Sequence, residues 1–146
     1  YQGVLGIFLG NLLRGEPITI FGDGEQTRDF VYIDDIVEGW ARALDTPATR
    51  GRVINLGSGR SLSINGLAEA AARAFGGASR IVRAPTRPGE QRSVRADVAQ
   101  AKALMGWEPS TRFETGLEHT LRWARHEHAA KAAAAAPALA ARSAAQ

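Results

Sequence analysis

Arg28 is the single cation in a fourteen-residue stretch, Gly22-Asp23-Gly24-Glu25-Gln26-Thr27-Arg28-Asp29-Phe30-Val31-Tyr32-Ile33-Asp34-Asp35, that carries five carboxylates. A guanidinium is planar and always charged, and its fork of N–H donors matches a pair of phosphate oxygens better than a lysine's point charge does. A second arginine-bearing loop follows, Ala84-Pro85-Thr86-Arg87-Pro88-Gly89-Glu90-Gln91-Arg92. Both loops lie at the mouths of short apolar runs. Two chemistries fit: a small anion gripped by Arg28 and Arg87, or two surface ion pairs, Arg28 with Asp29 and Arg87 with Glu90.

Other candidate chemistries fail on spacing. Leu56-Gly57-Ser58-Gly59-Arg60-Ser61-Leu62 stands where a strand would pass into a helix, but the dinucleotide-binding fingerprint needs a third glycine or alanine where Leu62 stands. No Gly-Lys-Ser/Thr follows either, so the run reads as a tight structural turn. His126-Glu127-His128 sets two imidazoles two residues apart, which point away from each other on a helix, and no matching ligand set occurs elsewhere. There is no Gly-x-Ser-x-Gly turn for a serine nucleophile. The adjacent Asp34 and Asp35 are explained by helix capping and the helix dipole.

The elements that must position these residues follow from periodicity. Leu5, Phe8, Leu9, Leu12 and Leu13 predict a helix ending at Gly15, and Pro17 forbids its continuation. Ile18-Thr19-Ile20-Phe21 predicts a short strand stopped by Gly22-Asp23-Gly24, in which Asp23 and Glu25 serve as turn residues. Asp29 to Ile33 reads as a second extended piece. Asp34 is the expected N-cap of a helix carrying Ile36, Val37, Trp40, Ala41 and Leu44. Arg52-Val53-Ile54-Asn55-Leu56 has the apolar run of a strand buried on both faces in a parallel sheet. Ser63 caps a helix with Ile64, Leu67, Ala68, Ala71 and Phe75 inward, ending at Gly76-Gly77, and Ile81 to Ala84 is a further strand. Asp97 with Gln100, then Thr111 with Glu114, resemble capping boxes for two last helices, the second striped by Phe113, Leu117, Leu121 and Ala124. From Ala129 the chain is nearly pure alanine, with high helix propensity but little to bury, so residues 129–146 are expected to fray. No internal repeat occurs.

Composition narrows the classes further. The chain has 146 residues, a length for one domain with a sizeable core. Its net charge of +3 comes from 16 Arg and 2 Lys, scattered and interleaved with acids, which argues against nucleic acid as a partner. No apolar run approaches the roughly 20 residues that span a bilayer, so no membrane is expected. The absence of cysteine excludes disulfides and Cys-based metal sites and fits a reducing, cytoplasmic setting. The chain opens at Tyr1 and its sole methionine is Met105, from which a piece of a longer protein is expected.

Four ordered motifs carry a resemblance. Gly15-Glu16-Pro17-Ile18-Thr19-Ile20-Phe21-Gly22-Asp23-Gly24 through Arg28-Asp29-Phe30 to Asp35, then Asn55-Leu56-Gly57-Ser58-Gly59, then Arg87-Pro88-Gly89-Glu90, and finally Gly106-Trp107-Glu108-Pro109, resemble the C-terminal part of the NAD-dependent nucleotide-sugar epimerase/dehydratase family. These are the extended short-chain dehydrogenases, and the likeness is to their 4-epimerases. It covers residues 1–128, leaving 129–146 as an alanine-rich tail. The implied fold is α/β: the substrate-binding C-terminal portion, with mixed short strands, about five helices and one late Rossmann strand-helix unit from Arg52 to Phe75.

The resemblance implies that Arg28 and Arg87 clamp the nucleotide diphosphate. Thr19 and Phe21 would meet the uracil ring, mainly through main chain, and Val4 would approach the nucleotide. In such enzymes NAD takes a hydride from sugar C4 with a tyrosine as base, the keto sugar rotates, and the hydride returns to the other face. Neither the glycine-rich NAD turn nor a Tyr-x-x-x-Lys pair occurs here, since Leu5 follows Tyr1 and Ile36 follows Tyr32 at that spacing. The implied cofactor, NAD, is therefore expected to be bound outside this chain, and no catalytic residue is assigned in it. A UDP-hexose is the implied ligand, and a homodimer is implied for the full-length protein through helices outside this chain. Dehydratase, decarboxylase or reductase chemistry within the same family, and a non-catalytic sugar-nucleotide-binding or interaction module, are the alternatives.

Overall fold

The computed structural model describes residues 3–77 and 79–143. Helix α1 (Val4–Leu13) forms on the predicted spacing and buries Phe8, Leu9 and Leu12. The chain leaves it through Gly15, whose φ of 70° a side chain would oppose. Strand β1 (Ile18–Phe21) alternates as a half-buried strand must: Ile18 and Ile20 enter the core, while Thr19 and Phe21 share the opposite, partly open face.

Strand β2 (Thr27–Arg28) follows the turn, and helix α2 (Ile33–Asp45) comes next. Strand β3 (Leu62–Ser63) leads directly into α3 (Ile64–Phe75). The Ser63 hydroxyl accepts the Gly66 N–H at 3.0 Å, and Gly76 closes the helix in the left-handed conformation, both as predicted. Strand β4 (Ile81–Ala84), α4 (Ala99–Met105) and α5 (Phe113–Ser143) complete the order. β1 pairs in parallel with β4, with Ile18 opposite Ile81 and Phe21 opposite Ala84, and β2 pairs antiparallel with β3. The parallel register sets the loop after β4 beside the turn after β1, which brings both arginine-bearing loops to one end of the sheet.

The main core lies where α1, α3 and α5 meet the inner face of β1. Ile18, Leu67, Ala68 and Ala71 have no exposed surface, and Leu121 joins them from α5. Alanines at 68 and 71 let the helices approach closely. A second buried point is Trp107, whose indole N–H donates to the Asp35 main-chain oxygen at 3.0 Å. Gly39 of α2 allows this, because a Cβ there would lie 2.9 Å from Leu56 and 3.0 Å from the Trp107 ring.

Several expectations are corrected. Asp34 does not cap α2: the helix starts at Ile33 after Tyr32, with no side-chain cap, and Asp34 sits exposed in its first turn. Asp35 has the structural role instead. Its buried carboxylate accepts the Ser110 N–H and hydroxyl, each at 3.1 Å, and the Thr111 N–H at 3.2 Å, joining α2 to the start of α5. The second extended piece is shifted, since pairing covers Thr27 and Arg28 and stops before Asp29. Its partner, β3, carried no sequence signal because two residues are too few for a period.

Residues 53–56 are not a paired strand in this chain. An apolar run becomes a strand only beside a neighbour, and both two-stranded sheets are built elsewhere. Val53 is 89% exposed in consequence. On α2, Ile33, Val37, Trp40 and Leu44 also face outward. The alanine-rich stretch from Ala129 continues α5 as helix through Ser143, and its last three residues lie outside the described ones. Among the described residues no helix is long and apolar enough to cross a membrane.

Candidate functional site

Val4, Thr19, Phe21, Arg28 and Arg87, which the resemblance assigns to the nucleotide, line a single cleft of about 200 Å³, together with Gln26, Ile64 and Glu90. They arrive by four elements. Val4 is the first residue of α1, Thr19 and Phe21 form the open face of β1, Arg28 ends β2, and Arg87 lies on the loop after β4. The cleft adjoins a second groove of about 500 Å³ that shares Phe21, Gln26, Arg87 and Glu90 and extends along the loop from Thr86 to Arg92.

Arg28 is held by main chain. Its Nη1 donates to the carbonyls of Thr27 and Gln91, each at 2.8 Å. This leaves Nε and Nη2, and Nη2 stands 3.5 Å from Glu90 Oε1, a long contact for an ion pair. The alternative Arg28–Asp29 and Arg87–Glu90 surface pairs are both absent among the described residues; Glu90 faces Arg28 instead. Arg87 is placed differently, with its guanidinium carbon 3.6 Å from the centroid of the Phe21 ring. The site thus presents two cations with unspent donors and one carboxylate that only partly offsets them.

Asp29 turns away from the cleft. Its carboxylate accepts the N–H groups of Ser58 at 2.7 Å and of Gly59 and Ala96 at 3.0 Å each. The glycine turn that resembled a phosphate cradle therefore has its donors engaged by a side chain of the same protein. Together with Leu62 in place of a third glycine, this means residues 56–62 do not fit a dinucleotide diphosphate. Among the described residues there is also no cluster of three metal-ligating side chains, and His119 packs its edge on Tyr32 at 5.6 Å between ring centroids.

The turn after β1 is braced from several sides. Asp23 Oδ1 accepts the Glu25 N–H at 2.9 Å, and its carboxylate pairs with Arg92 at 2.9 Å. The main-chain N–H of Glu25, and then the Arg92 guanidinium, hold the Asp23 carboxyl below its ordinary range. Gly24 has a φ of 74°, and a Cβ on it would collide with the Asn65 side-chain amide. Arg83 donates to the Asp23 carbonyl at 2.7 Å and to Asn65 Oδ1 at 3.1 Å.

Gln26 escaped the sequence, in which Glu90 and Asp29 appear only as candidate ion-pair partners of Arg87 and Arg28. Gln26 is buried and donates to the Phe21 carbonyl at 3.0 Å and to Glu90 at 3.3 Å. Its spacing of two from Arg28 places both side chains on one side of an extended segment, which was a usable signal. Glu90 was visible as the end of Arg87-Pro88-Gly89-Glu90, but its partner was not. Asp29 gave no hint that it reaches a turn some thirty residues away.

Residues 7–120 match the family described as GDP-mannose 4,6 dehydratase. The UDP-glucose 4-epimerase of Mycolicibacterium smegmatis is 37% identical over 125 residues, covering 86% of this chain and 40% of that protein. The crystal structure of a UDP-glucose 4-epimerase with UDP-glucose from Thermotoga maritima superposes with a TM-score of 0.80 at 38% identity, over 86% of this chain and 40% of that one. A UDP-glucuronic acid 4-epimerase from Bacillus cereus, solved with UDP-glucuronic acid and NAD, gives a TM-score of 0.79 at 32% identity, again over 86% and 40%. The chain thus spans about 40% of the length of these relatives and corresponds to their C-terminal portion. On sequence and fold together, it belongs to the family of NAD-dependent nucleotide-sugar epimerases and dehydratases.

Proposed function

We propose that this chain is the substrate-binding portion of an NAD-dependent UDP-sugar 4-epimerase-like enzyme, and that Arg28 and Arg87 grip the diphosphate of a UDP-hexose. The observation that carries the reading is the convergence of Val4, Thr19, Phe21, Arg28 and Arg87 on one cleft from four elements of the fold. In this reading the open face of β1, carrying Thr19 and Phe21, takes the base end of the nucleotide, and Val4 borders it. Arg28 offers Nε and Nη2 to phosphate oxygens, and Glu90 is displaced from Arg28 as the diphosphate enters.

The diphosphate keeps its charge throughout hydride removal and return at the sugar. Contacts to it stabilise ground and transition states alike, so the clamp acts by positioning the sugar and not by lowering the chemical barrier. NAD is assigned to protein outside this chain, since residues 56–62 spend their donors on Asp29. When bound there, NAD supplies hydride acceptance and return; this chain's part is to hold and orient the nucleotide. The proposed setting of the parent enzyme is cytoplasmic and homodimeric.

The test is calorimetric titration of UDP and UDP-glucose into the wild-type chain, Arg28→Ala and Arg87→Ala. A charged hydrogen bond is worth roughly 1.5–3 kcal/mol net, so each variant is expected to lose tens-fold in affinity. Equal binding by all three would sink the clamp. GDP competing as well as UDP would move the base assignment towards the dehydratase for which the matching family is described.

A further inference from the structure

The two clamp arginines are held by different devices, and from that difference we infer that the Phe21 side chain is a positioning residue that pre-orders Arg87 for the diphosphate. The inference rests on the reading that Arg87 binds phosphate, and it gives the Phe21 ring a task separate from its main chain. Arg28 is fixed by two carbonyls that consume its Nη1. Arg87 has no carbonyl or carboxylate partner among the described residues, sits on an exposed loop, and places its guanidinium carbon 3.6 Å from the Phe21 ring centroid.

That distance is a stacking distance. The ring attracts the cation through its negative face, and stacking engages only the flat side of the guanidinium. All five N–H donors lie in the guanidinium plane and stay free at its edge. A hydrogen-bonded anchor would have spent some of them, as it does at Arg28. The ring therefore orders a long, exposed side chain without using the groups that bind the ligand.

The main chain that carries the ring is held on both sides. The Phe21 carbonyl accepts from the buried Gln26 amide at 3.0 Å, and the following Gly22 N–H donates to the Ala84 carbonyl at 2.9 Å. Phe21 and Arg87 border both the 200 Å³ cleft and the adjoining 500 Å³ groove, so the stacked pair stands where the two meet. A ligand passing from one to the other meets the free edge of Arg87.

The experiment is a double-mutant cycle on the full chain, with UDP affinity measured by calorimetry and uridine affinity by ligand-observed NMR. The proteins are wild type, Phe21→Leu, Phe21→Tyr, Arg87→Ala and Phe21→Leu/Arg87→Ala. Phe21→Leu is expected to weaken UDP about 2- to 5-fold, the range of an exposed cation–π contact. It should weaken UDP more than uridine, that excess should vanish once Arg87 is alanine, and Phe21→Tyr should bind as wild type. Equal weakening by Phe21→Leu in both arginine backgrounds would overturn the inference, because a merely structural ring acts regardless of Arg87. So would equal loss of UDP and uridine affinity, or wild-type UDP affinity in Phe21→Leu. Failure of the wild-type chain to bind UDP would instead overturn the proposed function beneath it.

Discussion

Asp29 offers the sharpest test of how the site is held together. Its carboxylate accepts three main-chain N–H groups, from Ser58 at 2.7 Å and from Gly59 and Ala96 at 3.0 Å each. It thereby ties the end of β2 to the glycine turn before β3 and to the segment before α4. Hydrogen bonds to a charged group contribute roughly 1.5–3 kcal/mol each, but three on one carboxylate are not additive, and water can reach part of this site. Asp29→Ala is therefore expected to cost about 3–5 kcal/mol, near the upper end for a single substitution. Asp29→Asn keeps one acceptor oxygen and should cost roughly 1.5–3 kcal/mol. With a urea slope of about 2 kcal/mol/M, the two midpoints should fall by about 2 M and about 1 M respectively, read by circular dichroism. Asp34→Asn removes the same charge from an exposed first-turn position and should stay within about 0.5 kcal/mol of wild type. If Asp29→Ala unfolded at the wild-type midpoint, or Asp34→Asn fell as far, the carboxylate would not be the tie that its geometry describes.

Other outcomes follow from particular contacts. Gly24→Ala should destabilise by about 2 kcal/mol or more on the same urea assay, because it combines a φ of 74° with a collision against Asn65. The Asp23 carboxyl should titrate below an ordinary aspartate by carbon-detected NMR; Arg92→Ala should restore only part of the shift, since the Glu25 N–H is the larger cause. As that folded-state value is depressed, whatever stability Asp23 contributes is present above the ordinary aspartate range and lost as pH falls through the depressed value. Trp40→Asp and Leu44→Asp fall on side chains that are 69% and 86% exposed, so each should leave the unfolding midpoint within about 0.5 M while reducing concentration-dependent association in sedimentation.

What was legible in the sequence was what local physics decides. The three-four spacing of Leu5, Phe8, Leu9 and Leu12, the Ser63 cap and the Gly76 stop each act within a few residues, and each formed as expected. Residues 53–56 show the limit of that reasoning. Their composition is that of a strand buried on both faces, but burial is supplied by neighbours, and this chain covers about 40% of its relatives' length. The outward stripe of Ile33, Val37, Trp40 and Leu44 on α2 has the same character: an amphipathic pattern whose apolar side meets no described element. Asp34 and Asp35 illustrate a finer failure. Their types forecast a helix start correctly, but which of two adjacent carboxylates is buried depends on where Ser110 and Thr111 lie on the segment before α5.

The site divides along the same line. That Arg28 and Arg87 were candidates followed from side-chain chemistry alone, since a guanidinium beside a glycine turn suits a small anion or a surface ion pair. Their convergence depended on the parallel register of β1 with β4, which sets Phe21 opposite Ala84 and so delivers the loop from Thr86 to Arg92 onto the open face of β1. The means of holding them lay beyond any motif: two carbonyls for Arg28, an aromatic face for Arg87. Every one of those supports comes from residues 18–92, on elements anchored to the core of α1, α3 and β1. On the proposed function, a clamp assembled in this way draws its supports from this chain alone, so nucleotide binding and sugar chemistry should be separable. On that proposal the chain binds UDP with little dependence on the sugar, and discrimination among sugars appears only when the part proposed to carry NAD is joined to it.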